Sequence, residues 1–145
     1  MGSERQGIME NFIEFTNVRK IYSMGEVEIE ALSGIDFSIN KGELVIIAGA
    51  SGAGKSTILN ILGGMDYPTS GKITVDKGSI SSYNQKELIS YRRYDVGFVF
   101  QFYNLVQNLT AIENVELATQ VSKAPLDVHQ VIEDVGLTPR KNNFP

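Results

Sequence analysis

The twenty residues "VIIAGASGAGKSTILNILGG", Val45 to Gly64, constrain this chain more than any other part of it. Gly49-Ala50-Ser51-Gly52-Ala53-Gly54-Lys55-Ser56 satisfies the pattern G-x-x-x-x-G-K-[ST] at every fixed position. The match lies after an apolar run and before a helix-forming one, which is the setting such a loop needs. Its glycines let the backbone curl so that successive N–H groups converge on phosphate oxygens. A helix beginning near Lys55 adds its positive N-terminal end. Lys55 is expected to reach the β- and γ-phosphates of a nucleotide, and the hydroxyl of Ser56 to bind Mg²⁺.

The elements around the loop follow from periodicity. From Phe12 to Ile39 apolar residues alternate: Ile13 and Phe15, then Val27, Ile29 and Ala31, then Ile35, Phe37 and Ile39. That predicts half-buried antiparallel strands, with turns at "SMGE" and "NKG". Glu43 to Ala48 is instead a continuous apolar run, as expected of a strand covered on both faces. Gly63 and Gly64 should end the helix that follows the loop. Beyond them the sequence predicts a turn at "DYPTSG", a strand at "KITVD", and a helix over Gln85–Tyr94 capped by Ser82 or Asn84. A short strand is expected at Val96–Phe100, and helices over Thr110–Thr119 and Asp127–Val135. Thr110 and Glu113 are spaced as a capping box, and Gly136 closes the last helix.

Composition excludes several function classes. The 145 residues carry a net charge of −4, which argues against a nucleic-acid surface, since phosphate backbones are bound by clustered Lys and Arg. The densest basic cluster, Arg92–Arg93, reads as a solvated helix face. With no cysteine, neither a disulfide framework nor a thiolate metal site is possible. The single histidine, His129, reads as a surface helix residue rather than a metal ligand. The longest apolar run, Leu44 to Ala50, is too short to cross a bilayer. Residues 1–10 look like a disordered leader or an expression remnant without the layout of a signal peptide, so a cytoplasmic location is expected.

Two longer stretches carry a resemblance to a family. "NVRKIYSMGEVEIEALSGIDFSINKGELVIIAGASGAGKSTILNILGGMDYPTSGKITVD" resembles the start of an ATP-binding-cassette (ABC) transporter ATPase, and "RRYDVGFVFQFYNLVQNLTAIENVEL" is similar to the Q-loop region of that family. Within the family, "MGEVEIEAL", "GGMDYPTSG" and "FVFQFYNL" look most like the branch serving lipoprotein-release and macrolide-export transporters. The resemblance covers residues 11–145. It implies an α/β fold: an N-terminal antiparallel β subdomain, a partial P-loop NTPase (RecA-like) core, and the start of a helical subdomain. It also implies ATP and Mg²⁺ as cofactors. Tyr22 stands where the family stacks an aromatic on adenine, and Thr57 would add a hydroxyl near the α-phosphate. Gln101 matches the Q-loop glutamine that contacts Mg²⁺ and the region of the attacking water. The implied partners are membrane-spanning transporter subunits, touched through Phe102–Leu109, and a second copy of the ATPase domain. The protein would then lie on the inner face of the cell membrane.

The family's remaining catalytic parts do not occur. "VIEDVG" is not a Walker B strand, "LSGGQ" is absent with "LSGI" at Leu32 only imitating its first letters, and His129 is misplaced for a switch histidine. "LTPRKNNFP" resembles the family just before its signature. The expectation is therefore the N-terminal part of the ATPase domain, inactive alone, whose unpaired strands and apolar surface invite self-association. A rival is a folding or association fragment with weak or no nucleotide binding. A GTPase or small kinase is remote: neither [NT]-K-x-D nor D-x-x-G occurs, and a kinase would need an acceptor site and a basic lid.

Overall fold

A computed structural model describes residues 11–145; the proposed leader, residues 1–10, lies outside them. The chain forms two compact units, one running through Arg92 and the other Arg93–Pro145.

The first unit is built on a long hairpin. Strands β1 (Asn11–Met24) and β2 (Val27–Asn40) pair antiparallel, with Gly25 at the first of the two turn residues at φ 65°, where hairpins of this length favour glycine. Strand β3 (Ser70–Val75) pairs with the other edge of β1, and the two-residue β4 (Gly78–Ser79) with β3, giving the order β2-β1-β3-β4. The predicted alternation holds only in part: register shifts between Phe15 and Val18 and between Lys20 and Ile21 move the buried positions to Val18 and Leu32, while Ile13, Ala31, Ile35, Phe37 and Ile39 are half-buried. Phe15, Val18, Leu32 and Ile73 are buried, and Phe15 stacks on Phe37 with centroids 4.3 Å apart. It fails toward the hairpin tip, where Val27 and Ile29 are exposed because no element lies over them.

Helix α1 (Lys55–Leu62) buries Ile61 and ends at Gly63, as its sequence predicts. Helix α2 (Gln85–Tyr94) is capped by Asn84, whose Oδ1 accepts from the N–H groups of Lys86 and Glu87 at 2.9 and 3.1 Å. Its buried face, Leu88 and Tyr91, lies against Gly64, where an added Cβ would come within 3.0 Å of the Tyr91 ring. Tyr91 donates to the carbonyl of Leu62 at 2.9 Å, and the Arg92 guanidinium donates to that of Gly64. These bonds satisfy carbonyls that the end of α1 leaves without partners. Arg92 is therefore a half-buried tie to α1, not the solvated charge read from the sequence.

In the second unit, α3 (Ala111–Thr119) starts with the expected capping box: the Thr110 hydroxyl accepts from the Glu113 N–H, and the Glu113 carboxylate accepts from the Thr110 N–H at 2.7 Å. Helix α4 (Val128–Asp134) is capped by Asp127, buries Ile132, and is closed by Gly136 at φ 71°. His129 is exposed on α4.

Two strands expected from apolar content do not form. Residues 43–48 and 96–100 take no regular secondary structure and join no ladder among the described residues. Leu44 and Ile46 are 94% and 84% exposed, and Val99 is fully exposed. A strand is defined by its neighbour, and these segments have none to hydrogen-bond with or to cover them.

Candidate functional site

The glycine-rich loop folds as a cradle. Gly52 and Gly54 both take the left-handed region at φ 80°, so the chain turns tightly before α1. The loop closes on itself through the Ala53 N–H and the Ala50 carbonyl at 3.2 Å, and Ile58 donates to the Gly54 carbonyl at 2.9 Å to begin the helix. Gly54 is the N-cap and brings no side chain to that helix end, so the first N–H groups of α1 have no side-chain cap. The backbone of Gly54 is seated against β2: a Cβ there would lie 2.6 Å from the Ala31 carbonyl oxygen and 2.8 Å from Leu32. Only glycine allows this approach.

Lys55 folds back over the loop. Its Nζ donates to the carbonyls of Gly49 and Ala50 at 2.9 and 2.6 Å, and no carboxylate pairs with it among the described residues. An ammonium held by neutral carbonyls, beside helix amides without a cap, is a concentration of positive potential that an anion can answer. Ala50, Ser51, Gly52, Ala53 and Ser56 are exposed, while Lys55 and Thr57 are half-buried.

Tyr22 sits near the end of β1, half-buried, two residues beyond Lys20 and past a register shift between Lys20 and Ile21. Its hydroxyl donates to Asp66 Oδ2 at 2.8 Å and also interacts with the side chain of Thr57 on α1. Burial and the hydrogen-bonded, charged Asp66 push the phenol above its ordinary value, against a smaller opposing bond with Thr57. Tyr22 therefore remains a donor across the working pH range. Lys20 Nζ donates to Asp66 Oδ1 at 2.6 Å and to the Tyr67 carbonyl at 2.8 Å, and lies 4.7 Å from the Tyr22 ring centroid. Burial alone would raise the Asp66 carboxyl; bonds from Lys20, Tyr22 and the Tyr67 N–H, with the Lys20 charge, hold it below its ordinary value.

The structure thus joins Tyr22 and Thr57 to the end of the cradle. Gln101 lies in the second unit, exposed and just after the unpaired segment 96–100. Phe102 and Tyr103 are 75% and 90% exposed, with Leu105 and Val106 also on the surface. Asn114 of α3 holds the end of this segment, accepting from the Val106 N–H at 2.8 Å and donating to the Val106 and Leu109 carbonyls at 3.1 and 3.0 Å. Lys20, Asp66 and Asn114 carry no signal in the sequence. Asp66 reads only as a turn residue, and 46 positions separate it from Lys20.

The sequence profile of the family described as "ABC transporter" matches residues 32–145. The chain belongs to the ABC transporter family. Among curated ABC relatives, an uncharacterized ABC transporter ATP-binding protein of Thermotoga maritima is 43% identical over 142 residues, covering 94% of this chain and 61% of that one. A lipoprotein-releasing system ATP-binding protein, LolD, of Alcanivorax borkumensis is 40% identical over 131 residues, covering 87% and 58%. A solved dimeric structure of the ATP-binding cassette MJ0796, in a post-hydrolysis state bound to ADP and Pi, superposes with a TM-score of 0.80 at 37% identity, covering 92% of this chain and 61% of that one. The chain thus spans about 60% of the length of each of these three proteins. The likeness fixes the fold as that of an ABC ATPase cassette, an antiparallel β subdomain with a P-loop α/β portion and helices. LolD-type proteins are among its relatives, as the sequence motifs imply. Among the described residues, no helix is long and apolar enough to cross a membrane.

Proposed function

We propose that this chain is the ATP-binding portion of an ABC transporter's motor. The observation that carries the reading is the seated cradle, in which Lys55 is held over left-handed glycines at the start of α1. In this reading the loop amides of Gly49–Gly54, with Lys55 and Ser56, hold the phosphates. Thr57 lies near the α-phosphate, and Tyr22 stacks on adenine, a contact worth roughly 1–3 kcal/mol for a base on an aromatic ring. Mg²⁺ would be held by the Ser56 hydroxyl, phosphate oxygens and water, with Gln101 as a further oxygen ligand. Among the described residues, no three His, Cys, Asp or Glu side chains cluster as a cation site of their own.

In the intact protein two such domains would enclose ATP between them, and hydrolysis would drive membrane-spanning subunits. The exposed segment Phe102–Leu109 is the proposed contact with those subunits, since exposed large apolar side chains next to a pinned loop suit an interface. In this reading the working protein lies at the inner face of the membrane. MJ0796, described as dimeric and bound to ADP and Pi, and the LolD relatives support this assignment by likeness.

The test is calorimetric titration of the chain with Mg·ATP beside Lys55→Ala. Saturable binding that weakens at least tenfold in the variant supports the reading, since an ammonium–phosphate bond is worth about 1.5–3 kcal/mol. Equal binding by both chains refutes the lysine's role. Absence of binding in both leaves the association-fragment reading in its place.

A further inference from the structure

The carboxylate of Asp66 takes part in none of the phosphate contacts, yet it collects three donors. Oδ1 accepts from Lys20 Nζ at 2.6 Å and from the Tyr67 N–H at 2.7 Å, while Oδ2 accepts from the Tyr22 hydroxyl at 2.8 Å. The side chains of Lys20 and Asp66 are only 12% and 24% exposed, so this is a partly desolvated cluster rather than a surface ion pair. The following residues are stitched to β1 as well. Thr69 Oγ1 accepts from the Ile21 N–H at 2.9 Å, and the Thr69 N–H donates to the Arg19 carbonyl at 2.8 Å. The turn after α1 is therefore fastened to the strand that carries Tyr22.

The consequence falls on the Tyr22 ring. A tyrosine near a strand end can ordinarily turn about χ1 and χ2. Here its hydroxyl is tethered to Asp66 and meets Thr57, while one ring face is covered by the Lys20 ammonium at 4.7 Å. The tether fixes the hydroxyl end of the ring, which lies on the χ2 axis, and so restrains χ1, while the ammonium occupies one face and resists turning about χ2. The face turned away from Lys20 is the one left to a ligand.

We infer that Asp66 and Lys20 are positioning residues that hold Tyr22 as a one-faced stacking platform, and so govern recognition of the nucleotide's base but not of its phosphates. The inference rests on reading residues 49–57 as a nucleotide site. It adds the device that fixes the base end of that site. Preorganisation is the physical gain: a ring already held in its bound orientation loses little rotamer freedom when a base arrives.

The experiment compares Mg·ATP with Mg·tripolyphosphate, which offers phosphates and no base, on the unsubstituted 145-residue chain and on Asp66→Asn, Lys20→Met and Tyr22→Phe. The unsubstituted chain should prefer ATP. Asp66→Asn and Tyr22→Phe should each lower ATP affinity about three- to tenfold, part of the stacking contribution, with tripolyphosphate affinity changed by less than about twofold. Lys20→Met should move in the same direction. The double variant Tyr22→Phe/Asp66→Asn should lose no more than the worse single one, because both cut the same bond. Tyr22→Phe keeps the ring and removes only its tether, so it separates positioning from folding. The inference is overturned if Asp66→Asn lowers both ligands equally or neither, if the two losses add, or if the unsubstituted chain does not distinguish ATP from tripolyphosphate. Tripolyphosphate that fails to bind, or binds Lys55→Ala as well, refutes the phosphate-cradle reading instead, and this inference with it.

Discussion

Gly52 and Gly54 share a φ of 80° in the same loop, yet replacing them with alanine should have different consequences. Placing an L-residue in the left-handed region costs roughly 1–2 kcal/mol, and reduced freedom of the unfolded chain returns about 0.4–1 kcal/mol. At Gly52 nothing lies within 4 Å of the new Cβ, so Gly52→Ala should destabilise by only ~0–1.5 kcal/mol. At Gly54 the same methyl would sit 2.6 Å from the Ala31 carbonyl oxygen and 2.8 Å from Leu32, itself buried. Ala31 falls where the β1–β2 register shifts, between Lys20↔Leu32 and Ile21↔Glu30, so its carbonyl belongs to backbone fixed on both sides. Overpacking of this kind adds about 1–3 kcal/mol. Urea unfolding followed by far-UV circular dichroism should therefore separate the two variants by ~1–3 kcal/mol at equal m-value. Gly54→Ala should also weaken Mg·ATP binding more, because the relief available is to lift the loop off β2. Equal midpoints, or a lower midpoint for Gly52→Ala, would refute the claim that the cradle is seated on the hairpin.

Acid should act on the first unit through Asp66. Its folded carboxyl is held below the ordinary value, so its stabilisation is fully present above the unfolded carboxylate value, about 4, and is lost as pH falls through the folded value. The gap in urea midpoint between the unsubstituted chain and Asp66→Asn should be constant from pH 7 to 5 and shrink below about pH 4; a constant gap down to pH 3 would contradict this. In the second unit, Asn114→Ala removes two exposed bonds to Val106 and a part-buried one to the Leu109 carbonyl, a loss of ~1 kcal/mol or more to local order. Limited proteolysis should cut within 102–109 several-fold faster in that variant, and an unchanged rate would remove Asn114 from its role in shaping the segment.

What was legible in the sequence was local. The capping box at Thr110 and Glu113, the Asn84 cap and the Gly136 stop each depend on residues within four positions of one another, and each forms. The cradle is legible for the same reason, since its turns and its lysine act on neighbouring carbonyls. Apolar content was a weaker guide. "ELVIIA" and "VGFVF" report that a segment would prefer to be buried, but not that a partner strand exists to bury it. Leu44 at 94% exposure shows the difference.

The base end of the site illustrates the same limit from the opposite direction. Tyr22 could be singled out only by resemblance, because an aromatic near a strand end is ordinary, and nothing local says what its ring does. Its surroundings come from Asp66, Thr57 and Lys20, brought together by the return of the chain from α1 to β1. A charged residue in a Pro-containing turn reads as solvated until the fold supplies its donors. Here the Lys20–Asp66 pair, half-removed from water, would be costly to keep if it only joined a turn to a strand. The Tyr22 hydroxyl on Oδ2 gives that carboxylate a second task. Stability requires only that the pair be satisfied, whereas holding a ring in one orientation requires both oxygens to be committed, as they are.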